Sequence, residues 1–124
     1  MENNDQRHYA VADAYKRKVT LKYQDQVVVE SENATILKEV GKSVYNPVFY
    51  FPKDDIKVPL EKEEARQSHC PIKGDATYWN FLEQPTSEYL AWSYETALPK
   101  TKKIEGLVAF NLNYFTLISE PLNS

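Results

Sequence analysis

Val19-Thr20-Leu21-Lys22-Tyr23-Gln24-Asp25-Gln26-Val27-Val28-Val29-Glu30 is the stretch whose reading decides the fold class. From Val19 to Tyr23 apolar and polar residues alternate with period two, the pattern of a strand with one face buried and the other wet. Gln24-Asp25 then reads as a tight turn, and Gln26 to Glu30 as the returning strand of a hairpin. Neither turn residue is glycine, which leaves the turn type open.

Outward from this hairpin the chain reads as short strands. Residues 1–10 read as a loose tail, and Met1 to Gln6 lack the apolar run of a signal peptide. Ser31 to Glu39 fits a short strand or one turn of helix. The seven prolines all lie at position 47 or later, so long helices are not expected there. Pro47 to Pro52 brackets a β run, and Lys53-Asp54-Asp55 reads as a single helical turn with Pro52 at its first position. Ile56-Lys57-Val58 returns to alternation. Leu60 to Arg66 holds good helix formers but no apolar face, which favours a loop or a frayed helix. Ala76–Phe81 and Glu88–Tyr94 read as neighbouring strands joined around Pro85. Lys100 to Glu105 reads as a short helix ended by Gly106, and Leu107 to Ile118 as the last strand or strands. The expected fold is mainly β: one domain over residues 1–124, with its core at 17–118. The body would be a compact antiparallel sheet or barrel-like, with one or two very short helices.

Composition agrees. Over 124 residues, 42% are hydrophobic and 27% charged, a globular balance. The aromatic share, 13%, favours strands and supplies core or ligand contacts. A net charge of −3 offers no basic footprint for phosphates, so no nucleic-acid partner is expected. Lys16-Arg17-Lys18 and the group Lys100, Lys102 and Lys103 read as solvated faces. Val48-Phe49-Tyr50-Phe51, the longest apolar run, is too short to cross a bilayer, so no membrane partner is expected either. One cysteine, Cys70, excludes an internal disulfide and fits a reducing, cytoplasmic location.

The densest group of reactive side chains is His69-Cys70-Pro71-Ile72-Lys73-Gly74-Asp75. Cys70 would be a nucleophile if His69 or Lys73 activated it. Adjacent residues of an extended segment point to opposite faces, however, which places His69 badly for that task. The plainer reading makes Cys70 a small buried hydrophobe, with Lys73-Gly74-Asp75 as a turn. Cys70, His69 and His8 are too few for a structural zinc site, so no metal is expected. Gly41, Gly74 and Gly106 are isolated from one another, which rules out both glycine-rich phosphate loops. Nothing in the sequence specifies a cofactor. The carboxylates Asp54, Asp55, Glu61, Glu63 and Glu64 lie on polar stretches and read as water-facing. The aromatics Tyr50, Tyr78, Trp79, Trp92 and Tyr94 alternate along their strands, with core packing as the default role of each.

Several motifs then follow one another in order. They are Ser31-x-x-Ala34-x-x-Leu37-x-Glu39, then Val48-Phe49-Tyr50-Phe51-Pro52-x-x-Asp55-Ile56, then Cys70-Pro71-Ile72-Lys73-Gly74-Asp75-Ala76-x-Tyr78. After these come Ala91-Trp92-Ser93-Tyr94 and Ile104-Glu105-Gly106-x-Val108-Ala109-Phe110. Over residues 17–118 the chain resembles the bacterial and cyanobacterial family known as domain of unknown function 427. The resemblance implies a compact, mainly antiparallel β domain with very short helices. The family is sometimes labelled nucleotidyltransferase-like. That label is not carried over, because the Gly-Ser followed by paired acids of common nucleotidyltransferases is absent, as is a glycine-rich loop. Gln24-Asp25 also departs from the family's glycine-containing first hairpin turn.

The functional expectation is a small-molecule binding module. Tyr50, Tyr78, Trp92 and Tyr94 would wall its pocket, and Cys70, Lys73 and Asp75 would supply polar contacts at the rim. Two alternatives belong to other classes. One is a thiol-dependent or Lys73/Asp75-dependent transferase or hydrolase. The other is a structural module that works by self-association, for instance as a homodimer.

Overall fold

The computed structural model describes residues 9–41 and 43–122, so His8 lies outside the described residues. Ten strands form two antiparallel sheets. The strands are β1 (Tyr9–Ala14), β2 (Arg17–Tyr23), β3 (Gln26–Ser31), β4 (Thr35–Val40), β5 (Val48–Phe51), β6 (Leu60–Cys70), β7 (Gly74–Phe81), β8 (Ala91–Ser93), β9 (Val108–Phe110) and β10 (Thr116–Pro121). Seven make one sheet in the order β1-β4-β5-β9-β8-β7-β6, and three make the other in the order β10-β2-β3. The fold is mainly β, as expected. Among the described residues the helical content is 3-10: Lys53–Asp55, Pro99–Ile104 and Leu112–Tyr114. Among the described residues no helix is long and apolar enough to cross a membrane.

The small sheet covers one face of the large one. Val19, Leu21, Val28 and Val29 of the hairpin meet Phe51, Ala91, Val108 and Phe110 of the large sheet in a single buried cluster. The run Val27-Val28-Val29 fits because the β2–β3 register slips between Leu21 and Lys22. An extra residue on one strand lets both Val28 and Val29 be buried. The hairpin turn does without glycine by placing Gln24 in the left-handed region, at φ 56°.

Four expectations need correction. Residues 60–66 are neither loop nor helix but the first part of β6, an 11-residue edge strand with most side chains exposed. Its alternating charges, which gave no helical stripe, are what protects a sheet edge from further pairing. Tyr9 and Ala10, at the end of the stretch read as a tail, belong to β1 and pair with β4. Only Ala91–Ser93 of the expected strand 88–94 is regular, because β8 has just three pairs with β7. The helical turn after β5 does form, although Pro52 is its cap, with an extended ψ of 142°.

Candidate functional site

The second face of the large sheet is covered by the segment carrying the Pro99–Ile104 turn. Ile104 and Ala97 from this segment join Leu37, Tyr50, Ala76, Tyr94 and Ala109 in a second core. Register explains how the aromatics meet there. Tyr78 lies opposite Trp92, Trp92 opposite Ala109, and Ala109 opposite Tyr50, which makes one row across β7, β8, β9 and β5. Ala109 is the small member of the row. It leaves room for the Trp92 indole to donate from Nε1 to the Tyr50 hydroxyl at 3.4 Å. Tyr89, from the loop before β8, adds a fourth aromatic residue, its ring 5.1 Å from Tyr78 and 5.0 Å from Trp92.

Lys73 reaches this face from the β6–β7 loop, which is clamped to the covering segment. The Leu98 amide donates to the Lys73 carbonyl at 3.2 Å, and the Thr101 hydroxyl to the Ile72 carbonyl at 2.9 Å. The Lys73 ammonium lies 5.6 Å from the Tyr94 ring centre and donates to Glu39 Oε1 at 2.8 Å. Cys70 is half-buried beside them, against the second core. Among the described residues its thiol has no hydrogen-bond partner, so no base stands ready to activate it.

The expected site therefore divides. Tyr50, Tyr78, Trp92, Tyr94, Cys70 and Lys73 share one side of the sheet. Asp75 does not: it pairs across the strands with His69, the two side chains meeting at 2.7 Å and lying 88% and 63% exposed. Its neighbour Ala76 points into the second core, and successive side chains of a strand face opposite ways, so Asp75 on β7 is turned away from the face that Lys73 reaches from the loop. The carboxylate that Lys73 uses is Glu39, which the sequence reading left without a role. Its signal was the spacing Leu37-x-Glu39, which sets a charge on the face of a buried leucine.

Burial sets the electrostatics. It pushes the Tyr50 hydroxyl above the usual tyrosine range, the hydrogen bond from Trp92 offsets part of that, and the Glu39 charge adds to it. Burial does the same to Tyr94, with Tyr50 and Cys70 adding to the effect, and to Tyr89, with Tyr78 adding to it. These hydroxyls keep their protons. They serve as donors and acceptors and not as bases.

Arg66 and Ser68 also escaped the sequence reading. The β6–β7 register shifts between Glu63 and Gln67, and Arg66 rides on that irregularity. Its guanidinium lies 5.9 Å from the ring centres of both Tyr78 and Tyr89, and its Nε donates to Glu63 Oε1 at 2.8 Å. Ser68 and Tyr78 share a hydrogen bond of 2.6 Å. Beside them a groove of about 490 Å3 runs along the hairpin, lined by Lys62, Glu63, Arg66, Ser68, His69 and Asp75 among others.

A family model described as a domain of unknown function (DUF427) matches residues 11–119. The chain belongs to that family. The match takes in both sheets, the aromatic row, the Cys70–Asp75 turn and the covering segment, so the DUF427 domain and the fold coincide. A comparison with curated proteins gives no match.

Proposed function

We propose that this DUF427 domain is a small-molecule binding module whose ligand lies in the groove beside β6 and β7 and reaches the aromatic row through Arg66. The observation that carries this reading is the position of Arg66. One planar cation both lines the groove and covers Tyr78 and Tyr89. A ligand acceptor group that draws Arg66 off Glu63 uncovers ring surface behind it, and rings supply stacking area beside polar anchors. The polar content of this face also supports the reading. An indole N–H, several tyrosine hydroxyls and a largely buried ion pair exceed what packing alone requires. Binding is favoured over catalysis because Cys70 lacks a base, Lys73 is held by Glu39, and the hydroxyls stay protonated.

The test is a thermal-shift screen with nucleotides, sugars and organic acids, repeated on Arg66→Ala and Tyr78→Phe. Specific ligands raise the melting temperature by mass action. A hit weakened by both substitutions supports the reading. Failure of the whole panel, or hits indifferent to Arg66, overturns it.

A further inference from the structure

A separate cleft opens beside Trp79, on the face of the large sheet that packs on the small one. Its volume is about 160 Å3, and it is lined by Ile56, Val58, Leu60, Val108, the indole of Trp79 and the side chain of Lys53. An apolar cavity of about 150 Å3 is large enough for one benzene ring. The aliphatic side chains come from three places that the fold brings together. Val108 lies on β9 and Leu60 on β6, while Ile56 and Val58 lie on the connection tied to β3 by the Val29–Ile56 bridge.

The mouth carries one cation with a ready-made partner. Lys53 Nζ sits 5.5 Å from the Trp79 ring centre and donates to Glu95 Oε1 at 2.5 Å. The other oxygen of Glu95 accepts from the Ser93 hydroxyl, and Ser93 Oγ in turn accepts from Trp79 Nε1 at 2.9 Å. Ser93 is fully buried, while the Glu95 side chain is 39% exposed. The protein thus holds a carboxylate on a lysine above a tryptophan, over a ring-sized apolar floor. When Glu95 turns to water, Ser93 keeps the bond it accepts from Trp79, and its own proton needs a ligand's carboxylate as acceptor in place of Glu95 Oε2.

We propose that this cleft binds a small aromatic carboxylate, with its ring between Trp79 and the aliphatic side chains and its carboxylate on Lys53 in place of Glu95. Neither part suffices alone. The ring supplies apolar burial, and the anion supplies a charge-assisted hydrogen bond in a half-shielded setting. No covalent step is involved. The cleft shares no lining residue with the groove beside Arg66, so it stands or falls apart from the reading above.

Benzoate is the probe, with benzyl alcohol as its uncharged counterpart and acetate as the ringless one. In two-dimensional NMR of the full chain, benzoate should shift the Trp79 indole N–H resonance saturably, and benzyl alcohol and acetate should not. Lys53→Met should weaken benzoate roughly tenfold, the loss of one charge-assisted contact. Glu95→Gln, which removes the built-in competitor, should strengthen it several-fold. Both positions are partly exposed, so both variants should fold, and Arg66→Ala should leave the response intact. No shift of the Trp79 signal up to the solubility limit would overturn the proposal. So would equal binding of benzyl alcohol, or a benzoate response that vanishes with Arg66→Ala.

Discussion

Lys73 and Glu39 lie 34 positions apart in the chain and meet at 2.8 Å, with 13% and 12% of their side chains exposed. The pair ties the β6–β7 loop to β4 across the covered face of the large sheet. Its neighbours there are Tyr50 and Tyr94, and little of either charge reaches water. Removing either partner should cost about 3 kcal/mol, because the largely buried charge that remains loses its ion pair. Urea unfolding of Lys73→Met and Glu39→Gln checks this, and the double variant should recover part of the loss. A cost below about 0.5 kcal/mol for both single variants would mean the pair behaves as a surface ion pair.

Gly74 should tolerate alanine less well than Gly106. Both have positive φ, at 106° and 75°. A Cβ on Gly74 would also meet the Thr96 carbonyl at 3.1 Å, whereas one on Gly106 meets nothing within 4 Å. Gly106→Ala should cost about 1 kcal/mol, the backbone preference alone, and Gly74→Ala clearly more. Equal melting temperatures for the two variants would contradict this.

Asn80 should govern the order of the β7–β8 loop. It is 5% exposed and saturates its amide. Nδ2 donates to Glu63 Oε2 at 2.7 Å and to the Thr86 carbonyl at 2.6 Å, while Oδ1 accepts from the Phe81 and Thr86 amides. Asn80→Asp loses both donations and turns an oxygen toward Glu63, so it should destabilise by at least about 2 kcal/mol. Hydrogen exchange at the Thr86 amide should rise along with it, and an unchanged rate would remove the assigned role.

Alkaline titration should divide the tyrosines. Burial raises Tyr50, Tyr89 and Tyr94 above the ordinary value near 10. In each, the folded state holds its proton where the unfolded chain has lost it. The stabilising contribution is therefore complete below pH 10 and declines as pH rises beyond it. Absorbance at alkaline pH should show these three ionising only as the fold is lost. Smooth ionisation of all nine tyrosines near pH 10, with the circular dichroism intact, would be inconsistent with their burial.

Cys70→Ala should leave ligand responses in place, because no base within reach of the thiol gives it a chemical role. A ligand shift abolished by this substitution alone, with the melting temperature unchanged, would return the thiol to the site.

How far the site was legible follows from what each residue's neighbours are. The Trp92, Tyr78 and Tyr50 row was readable as three aromatic strand positions. That they form one row depended on Ala109 standing between two of them, which is a matter of register. Arg66 was unreadable, because its charged stretch has no periodicity and becomes a strand only by pairing with β7. Asp75 was placed at the rim with Lys73 because the two are close in sequence, but Lys73 belongs to the turn and Asp75 to β7, where its neighbour Ala76 takes the face of the second core.

The sequence by itself determined the β class, the first hairpin, the proline-bounded β5 and the family, since alternation, turn chemistry and ordered motifs are local properties of the chain. Only the tertiary structure decided the division into two sheets, the partner of Lys73 and the cleft beneath Lys53. Each of these joins residues more than thirty positions apart, and such contacts arise from strand order and register, which no local stretch encodes.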